Sequence, residues 1–302
     1  MTEEECKPET DGAVPMSEKS DAERIAFFRA DRWIADERAL CILAELEDLL
    51  SCPPRSRMPG LLIYGSTGMG KTKTVDKFVR DHWRKIDRTK GIFDMPVVSF
   101  QIPPLPDETH FYAELYRATG SPAMPEGNMR RVKDTCRNLL RSAGTRMLIM
   151  DEVHNMLACT VRQQRVFLNT LRFLANDLRI PLVCVGTDQA RVALQSDLQL
   201  ASRFSAMGLP EWTDDIAFRK LLNRIAAVAP LRRPADIFSP SCRKLLLKKT
   251  AGVTATIFKL MEDAVIQAIH SGEEQLSEAL LANIHVREQL APRERIPMSA
   301  AL

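Results

Sequence analysis

Eight consecutive residues, Gly65-Ser66-Thr67-Gly68-Met69-Gly70-Lys71-Thr72, carry the most legible chemistry in this chain. They fit G-x-x-x-x-G-K-[ST], a loop whose glycines let the backbone turn tightly so that its N–H groups face an anion. In that pattern Lys71 reaches the β- and γ-phosphates of ATP or GTP, and the Thr72 hydroxyl holds Mg²⁺. The flanks suit it. Gly60-Leu61-Leu62-Ile63-Tyr64 is a short apolar run of strand type, and Thr72 to Arg84 spaces Val75, Phe78, Val79 and Trp83 along one helical face. The N-terminus of that helix brings the positive end of its dipole to the loop.

A second constellation follows about eighty residues later, in Arg146-Met147-Leu148-Ile149-Met150-Asp151-Glu152. Four apolar residues predict a strand buried in a parallel sheet, with two carboxylates at its carboxyl end, where such sheets bind ligands. Asp151 is expected in the Mg²⁺ shell and Glu152 beside the water that attacks the γ-phosphate. That adjacent pair points to ATP hydrolysis rather than to a Ras-like GTPase. His154 and Asn155 lack ligand-type neighbours and read as supporting residues. Thr187 ends another apolar run, Ile180-Pro181-Leu182-Val183-Cys184-Val185-Gly186. It either touches the γ-phosphate or attacking water, or caps the next helix, or does both. Gln101, polar near the end of the buried run Met95 to Ile102, is either a sensor of the carboxylate or a satisfied strand-end amide. Arg203, between a helix and a fifth short strand (Ser205 to Leu209), is either an arginine finger for a neighbour's ATP or a helix-end arginine paired with a surface acid.

These groups need elements to hold them. The 302 residues are enough for one large or two modest domains. Residues 1–20 are acidic, polar and proline-broken, and are expected to be disordered. Residues 21–58 predict an N-terminal helical extension, with helices from Asp21 and from Asp36 to Leu50; Trp33 or Ile34 lies near the adenine or simply packs. Residues 59–211 alternate strand and helix, including helices over Asp107 to Thr119, Asn128 to Ser142 and Val161 to Leu178. Residues 212–290 hold only helical patterns, over Ile216 to Val228, Pro240 to Lys249, Val253 to His270 and Leu276 to Asn283. Residues 291–302 read as a loose tail.

Composition narrows the class. No apolar run is long enough to span a bilayer, so no membrane partner is expected. The seven cysteines are scattered and never spaced C-x-x-C, which argues for reduced thiols in a cytoplasm. Residues 1–24 carry eight acids against three bases, so the rest of the chain is basic and suited to approach nucleic acid.

Taken in order, the phosphate loop, the Asp-Glu strand, the threonine-ended strand, Ser202-Arg203-Phe204 and a small helical lid resemble an AAA+ ATPase. More narrowly, Arg57-Met58-Pro59-Gly60, Asp151-Glu152-Val153-His154-Asn155 and Asp197-Leu198-Gln199-Leu200-Ala201-Ser202-Arg203-Phe204 resemble the TniB family of transposition ATPases, akin to TnsC. The resemblance implies an α/β AAA+ P-loop fold with a five-stranded parallel sheet, an N-terminal helical extension and a C-terminal helical lid. It implies an ATPase using ATP and Mg²⁺, slow unless stimulated by DNA or assembly. The expected partners are double-stranded DNA, further copies of itself in a ring or filament, and a DDE transposase that it recruits or activates. Lys71, Thr72, Asp151, Glu152, Thr187 and Arg203 would take the roles given above. Arg130, Arg131 and Lys133, on a basic helix after a glycine-containing loop, are the candidate DNA contacts or simply a solvated helix face. One departure stands out. The lid helix Gly252-Val253-Thr254-Ala255-Thr256-Ile257-Phe258-Lys259 lacks a sensor arginine, so either Lys259 substitutes or closure is less tied to the γ-phosphate. The competing functions are a replication helicase loader or clamp-loader-type ATPase and, more remotely, a P-loop phosphotransferase.

Overall fold

The computed structural model describes residues 15–82, 85–87, 92–104, 107–121 and 127–285. Two compact units divide the chain: residues 33–211, and residues 1–32 together with 212–302. The first helix, α1 (Asp21–Arg29), belongs to the second of these and is taken up below.

The larger unit opens with α2 (Glu37–Ser51), capped by the Asp36 carboxylate on the N–H groups of Arg38 and Ala39. Then come β1 (Gly60–Tyr64), α3 (Lys71–Asp81), a small antiparallel hairpin of β2 (Lys85–Asp87) and β3 (Ile92–Asp94), and β4 (Val97–Gln101). Helices α4 (Glu108–Ala118) and α5 (Met129–Ser142) lead to β5 (Met147–Asp151). After it come α6 (Val161–Leu178), β6 (Leu182–Gly186), α7 (Asp188–Gln195), α8 (Leu198–Ala201) and β7 (Phe204–Gly208). The five longer strands form one parallel sheet in the order β4-β5-β6-β1-β7. β1 is thus flanked by later strands, and the loop after it emerges in the middle of the sheet's carboxyl edge, where such folds bind ligands.

Burial explains the order. β5 and β6 are buried along their whole length, as near-continuous apolar runs covered on both faces must be. β7 is mostly exposed, as befits an edge. Phe111 makes edge-to-face contacts with Phe100, Tyr112 and Phe167 at 5.3–5.4 Å, which locks α4 and α6 to the β4 side. Register sets the level of the strand ends. Gln101 pairs with Asp151, and Tyr64 with Gly186, so the residues that follow these strands open on one edge.

The smaller unit is helical: α1 with α9 (Ile216–Val228), α10 (Pro240–Thr250), α11 (Thr254–Ser271) and α12 (Glu278–Asn283). Residues 21–58 are therefore not one extension: α1 packs with the C-terminal helices, whereas α2 packs with α3. The reason is Arg24. Its guanidinium is fully buried, forms a two-pronged ion pair with Glu274 and donates from Nε to the Pro230 carbonyl at 2.9 Å. α1 itself starts with a capping box between Ser20 and Glu23. Lys249 reaches the carbonyls of Leu281, Ala282 and Ile284 at 2.6–2.8 Å, closing the otherwise unsatisfied C-terminus of α12. Of the expected disordered segment, residues 1–14 lie outside the described residues, and Met16–Glu18 form a single 3-10 turn. The expected tail 291–302 and Trp83 and Arg84 also lie outside them.

Candidate functional site

The turn out of β1 is possible only for glycine. Gly65 has φ +152°, and a Cβ there would stand 2.4 Å from the Leu209 carbonyl oxygen. Gly70, at φ +93°, ends the loop as the N-cap of α3. Between them the main chain curls around Lys71, whose side chain is only 7% exposed and whose ammonium donates to the carbonyls of Gly65 and Ser66, each at 2.8 Å. Burial pushes the Lys71 ammonium below the ordinary lysine range, against the pull of Asp151, Glu152 and Asp188. A buried cation whose partners are neutral carbonyls, under a helix N-terminus, is built to take an anion. Ser66 donates its hydroxyl to Glu211, which lies 145 residues away and which no local pattern marks.

Asp151 is buried at the end of β5. Its two oxygens are both used: one accepts from the Thr72 hydroxyl at 2.7 Å, the other from the Glu152 backbone N–H at 2.7 Å. Thr72 and Asp151 thus present converging oxygens and nothing softer, a donor set that fits Mg²⁺. Glu152 adopts the left-handed conformation, φ 58° and ψ 33°, uncommon for a residue with a side chain. The turn swings its carboxylate away from Asp151 to the His154 ring, Nε2 to Oε2 at 3.2 Å. His154 Nδ1 is buried without a partner, so the tautomer carrying its proton on Nε2 suits the site. The same ring packs against Gly186, where a Cβ would come within 3.3 Å of Nδ1. Asn155 donates to the Ile102 carbonyl at 2.8 Å and pins the turn to the end of β4.

Thr187 occupies the N-cap position of α7, yet its hydroxyl makes no capping bond; Oγ1 is buried and has no partner. The capping alternative is not what the structure shows, and that oxygen is left without a partner just past the carboxyl end of β6. The Gln101 side chain is exposed at the last residue of β4, beside Asp151 in the register.

Arg203 lies at the other end of the sheet. It directly precedes β7, and its carbonyl accepts from the N–H of Gly60, the first residue of β1. β1 spans five residues, about 16 Å, before the glycine-rich loop begins. The guanidinium donates to Asn176 Oδ1 at 2.7 Å and to no carboxylate among the described residues, so the surface-acid alternative is not realised.

On α5, Arg130 and Arg131 are exposed, whereas Lys133 is half-buried and ion-paired to Glu108 at 2.5 Å. Arg130 and Lys133 line a groove of about 610 Å³ against α4 and α6, but Glu108 and Asp134 line it too. Lys259, on α11, is held by Glu262 and Asp263 at 3.1 Å each. The hydrogen bonds it donates to Asp263 and Glu262 raise it above the ordinary lysine range. No helix among the described residues is long and apolar enough to cross a membrane, and no cluster of His, Cys, Asp and Glu among them is arranged to hold a metal ion.

Comparison with known proteins agrees with this geometry. No curated protein matches the chain in sequence. Among solved structures, ORC1 of Aeropyrum pernix in complex with DNA superposes with a TM-score of 0.60 at 17% identity, over 85% of this chain and 67% of that one. ORC2 of the same organism, in ADPNP–ADP complexes, gives 0.58 at 18%, over 84% and 69%. Cdc6p of Pyrobaculum aerophilum gives 0.59 at 16%, over 83% and 67%. At these identities the likeness is one of fold, that of AAA+ P-loop NTPases. The family model described as bacterial TniB protein matches residues 24–214, which run from the buried arginine of α1 through the whole sheet. The chain therefore belongs to the TniB family and carries it on an AAA+ fold.

Proposed function

We propose that this protein is an ATP-hydrolysing, DNA-binding regulator of DNA transposition, which assembles on target duplex as a ring or filament and recruits or activates a DDE transposase. The observation that carries the ATPase part is the buried Lys71 ammonium, coordinated among the described residues only by its own loop, beside the paired Thr72 and Asp151. Membership of the TniB family supports the transposition part, and the fold shared with a DNA-bound ORC1 supports the DNA part. A helicase- or clamp-loader-type ATPase has only that fold likeness in its favour.

In this reading Lys71 exchanges the two carbonyls for the β- and γ-phosphate oxygens, and the N–H groups of Gly65 to Gly70 surround the rest of the triphosphate. Mg²⁺, when bound, neutralises charge on the phosphate oxygens. Thr72 and Asp151 would hold it, a reading supported by the hydrogen bond that brings their oxygens together. Glu152 takes up the proton of the attacking water, with His154 fixing its carboxylate. The Thr187 hydroxyl, without a partner of its own, bonds the γ-phosphate or that water. Arg203, far from its own loop, serves the nucleotide of an adjacent copy. Arg130, Arg131 and Lys133 face duplex phosphates, with Lys133 first giving up Glu108. We place the protein in the cytoplasm, where its DNA lies and its scattered thiols stay reduced.

The test uses the full-length chain with a fluorescent ATP analogue, phosphate release and negative-stain imaging on duplex DNA. Lys71→Ala is expected to lose triphosphate binding, and Glu152→Gln to keep it while hydrolysis drops about 10²- to 10⁴-fold. Duplex with a non-hydrolysable analogue is expected to yield ordered assemblies and, with ATP, faster hydrolysis. Equal ATP affinity in wild type and Lys71→Ala would sink the ATP assignment, and an ATPase rate and particle size indifferent to DNA would sink the regulator.

A further inference from the structure

We propose that Arg57 and Arg203 together form a phosphate-binding site, filled by the terminal phosphate of a nucleotide held in a second copy of this chain. The proposal rests on the ATPase reading above and adds Arg57 to it. Arg57 precedes β1 as Arg203 precedes β7, and the two strands are neighbours in the sheet, so both side chains belong to the amino edge. Arg57 donates to the Ser202 hydroxyl at 3.1 Å, one residue from Arg203. Arg203 donates to Asn176, and its Nε is buried with no partner at all. Among the described residues neither guanidinium pairs with a carboxylate. Their third neighbour is different. Arg172 is neutralised by Asp197 at 3.6 Å and bonded to Gln199 and Asn169 at 2.5 and 2.6 Å. Burial and the like charges of Arg57 and Arg172 push the Arg203 guanidinium below its ordinary range, against the pull of Asp197. Two adjacent cations held by neutral groups, one of them partly desolvated, form a site that is complete only with an anion.

The anion must come from elsewhere, because the chain's own phosphate loop opens on the opposite edge of the sheet. Its chemistry follows from the two forks. A guanidinium grips phosphate by two parallel N–H donors. A terminal phosphate offers three free oxygens to a pair of forks, whereas a duplex phosphodiester offers two.

Phosphate release decides this in the full-length chain, with Arg57→Ala, Arg57→Lys and Arg203→Ala measured over a range of protein concentrations. Arg57→Ala is expected to bind the fluorescent ATP analogue at its own loop as wild type does, and to hydrolyse about 10- to 100-fold more slowly, a milder loss than the roughly 10³-fold or more expected of Arg203→Ala. Arg57→Lys is expected to stay slow, since lysine supplies charge without the fork. Mixing Arg57→Ala with Lys71→Ala, which keeps both arginines, is expected to recover part of the rate. Wild-type hydrolysis by Arg57→Ala at every concentration would overturn the proposal, as would a failure of Lys71→Ala to rescue it while rescuing Arg203→Ala. If Arg57→Ala instead loses affinity for labelled duplex in the absence of nucleotide and keeps its hydrolysis rate, the site belongs to DNA phosphate and the proposal fails. If Arg203→Ala and Glu152→Gln also hydrolyse at the wild-type rate, it is the ATPase reading itself that fails.

Discussion

Replacing Arg24 by methionine tests why the N-terminal helix belongs to the helical unit. Methionine keeps an unbranched apolar stem like that of arginine but removes the guanidinium, leaving the Glu274 carboxylate only 8% exposed and without its main partner. Removing one member of a buried pair costs about 3–5 kcal/mol, because the remaining charge is stranded. Here the lower end applies, since Arg232 still stands 3.3 Å from Glu274 and can take part of its charge. The Pro230 carbonyl also loses its donor. We therefore expect about 3 kcal/mol, which for a denaturant slope of about 2 kcal/mol/M moves the urea midpoint of the helical unit down by about 1.5 M. The assay is urea unfolding followed by Trp212, which sits in this unit with its indole N–H bonded to Thr254. The sign with pH is fixed by Glu274, whose carboxyl the Arg24 hydrogen bonds hold below the ordinary glutamate range. A depressed carboxylate stabilises the fold above its unfolded pKa and loses that contribution as pH falls through the folded one. The gap between wild type and Arg24→Met should thus be widest above about pH 5 and narrow in acid. The double variant Arg24→Met with Glu274→Gln should regain at least about 1 kcal/mol over the single, because no charge is left stranded. A midpoint shift under about 0.3 M, or a gap that widens in acid, would refute the reasoning.

Gly65→Ala should abolish binding of the fluorescent ATP analogue and lower the thermal midpoint of the sheet unit, because its Cβ would collide with the Leu209 carbonyl that β1 and β7 hold in place; normal binding would mean that the loop can be rebuilt. Arg130→Ala with Arg131→Ala should weaken binding to all duplex sequences alike and flatten the salt slope by about 2, one unit for each lost phosphate contact, measured by fluorescence anisotropy. An unchanged slope would move the DNA surface elsewhere. Glu108→Gln should leave Lys133 without its ion-pair partner and tighten duplex binding by about twofold, within the range of a surface ion pair; weaker binding would take Lys133 out of the DNA surface.

Much of this architecture is legible in the residues because it is made locally. A helix is announced by its cap and its 3.6-residue stripe, and here Asp36, Asp107, Asn128, Thr160, Asp215, Ser239 and Ser277 all cap the helices they precede. The buried strands are apolar enough to be seen alone, and the phosphate loop is read from eight neighbouring residues. The hairpin of β2 and β3 was not visible, since three-residue strands leave no alternation to detect. Nor could periodicity assign α1: its partner Glu274 lies 250 residues away, and a charge at position 24 reads as surface until the ion pair buries it. The same holds for the site. That Asp151 meets Thr72, that Glu152 turns to His154, that Thr187 keeps a hydroxyl without a partner and that Arg57 shares a corner with Arg203 are consequences of strand order and register. The chain alone states which groups are present; only parallel pairing of β1 with β6 and β7 decides which edge of the sheet each group occupies, because contacts between residues far apart in sequence are set by packing and not by any local preference.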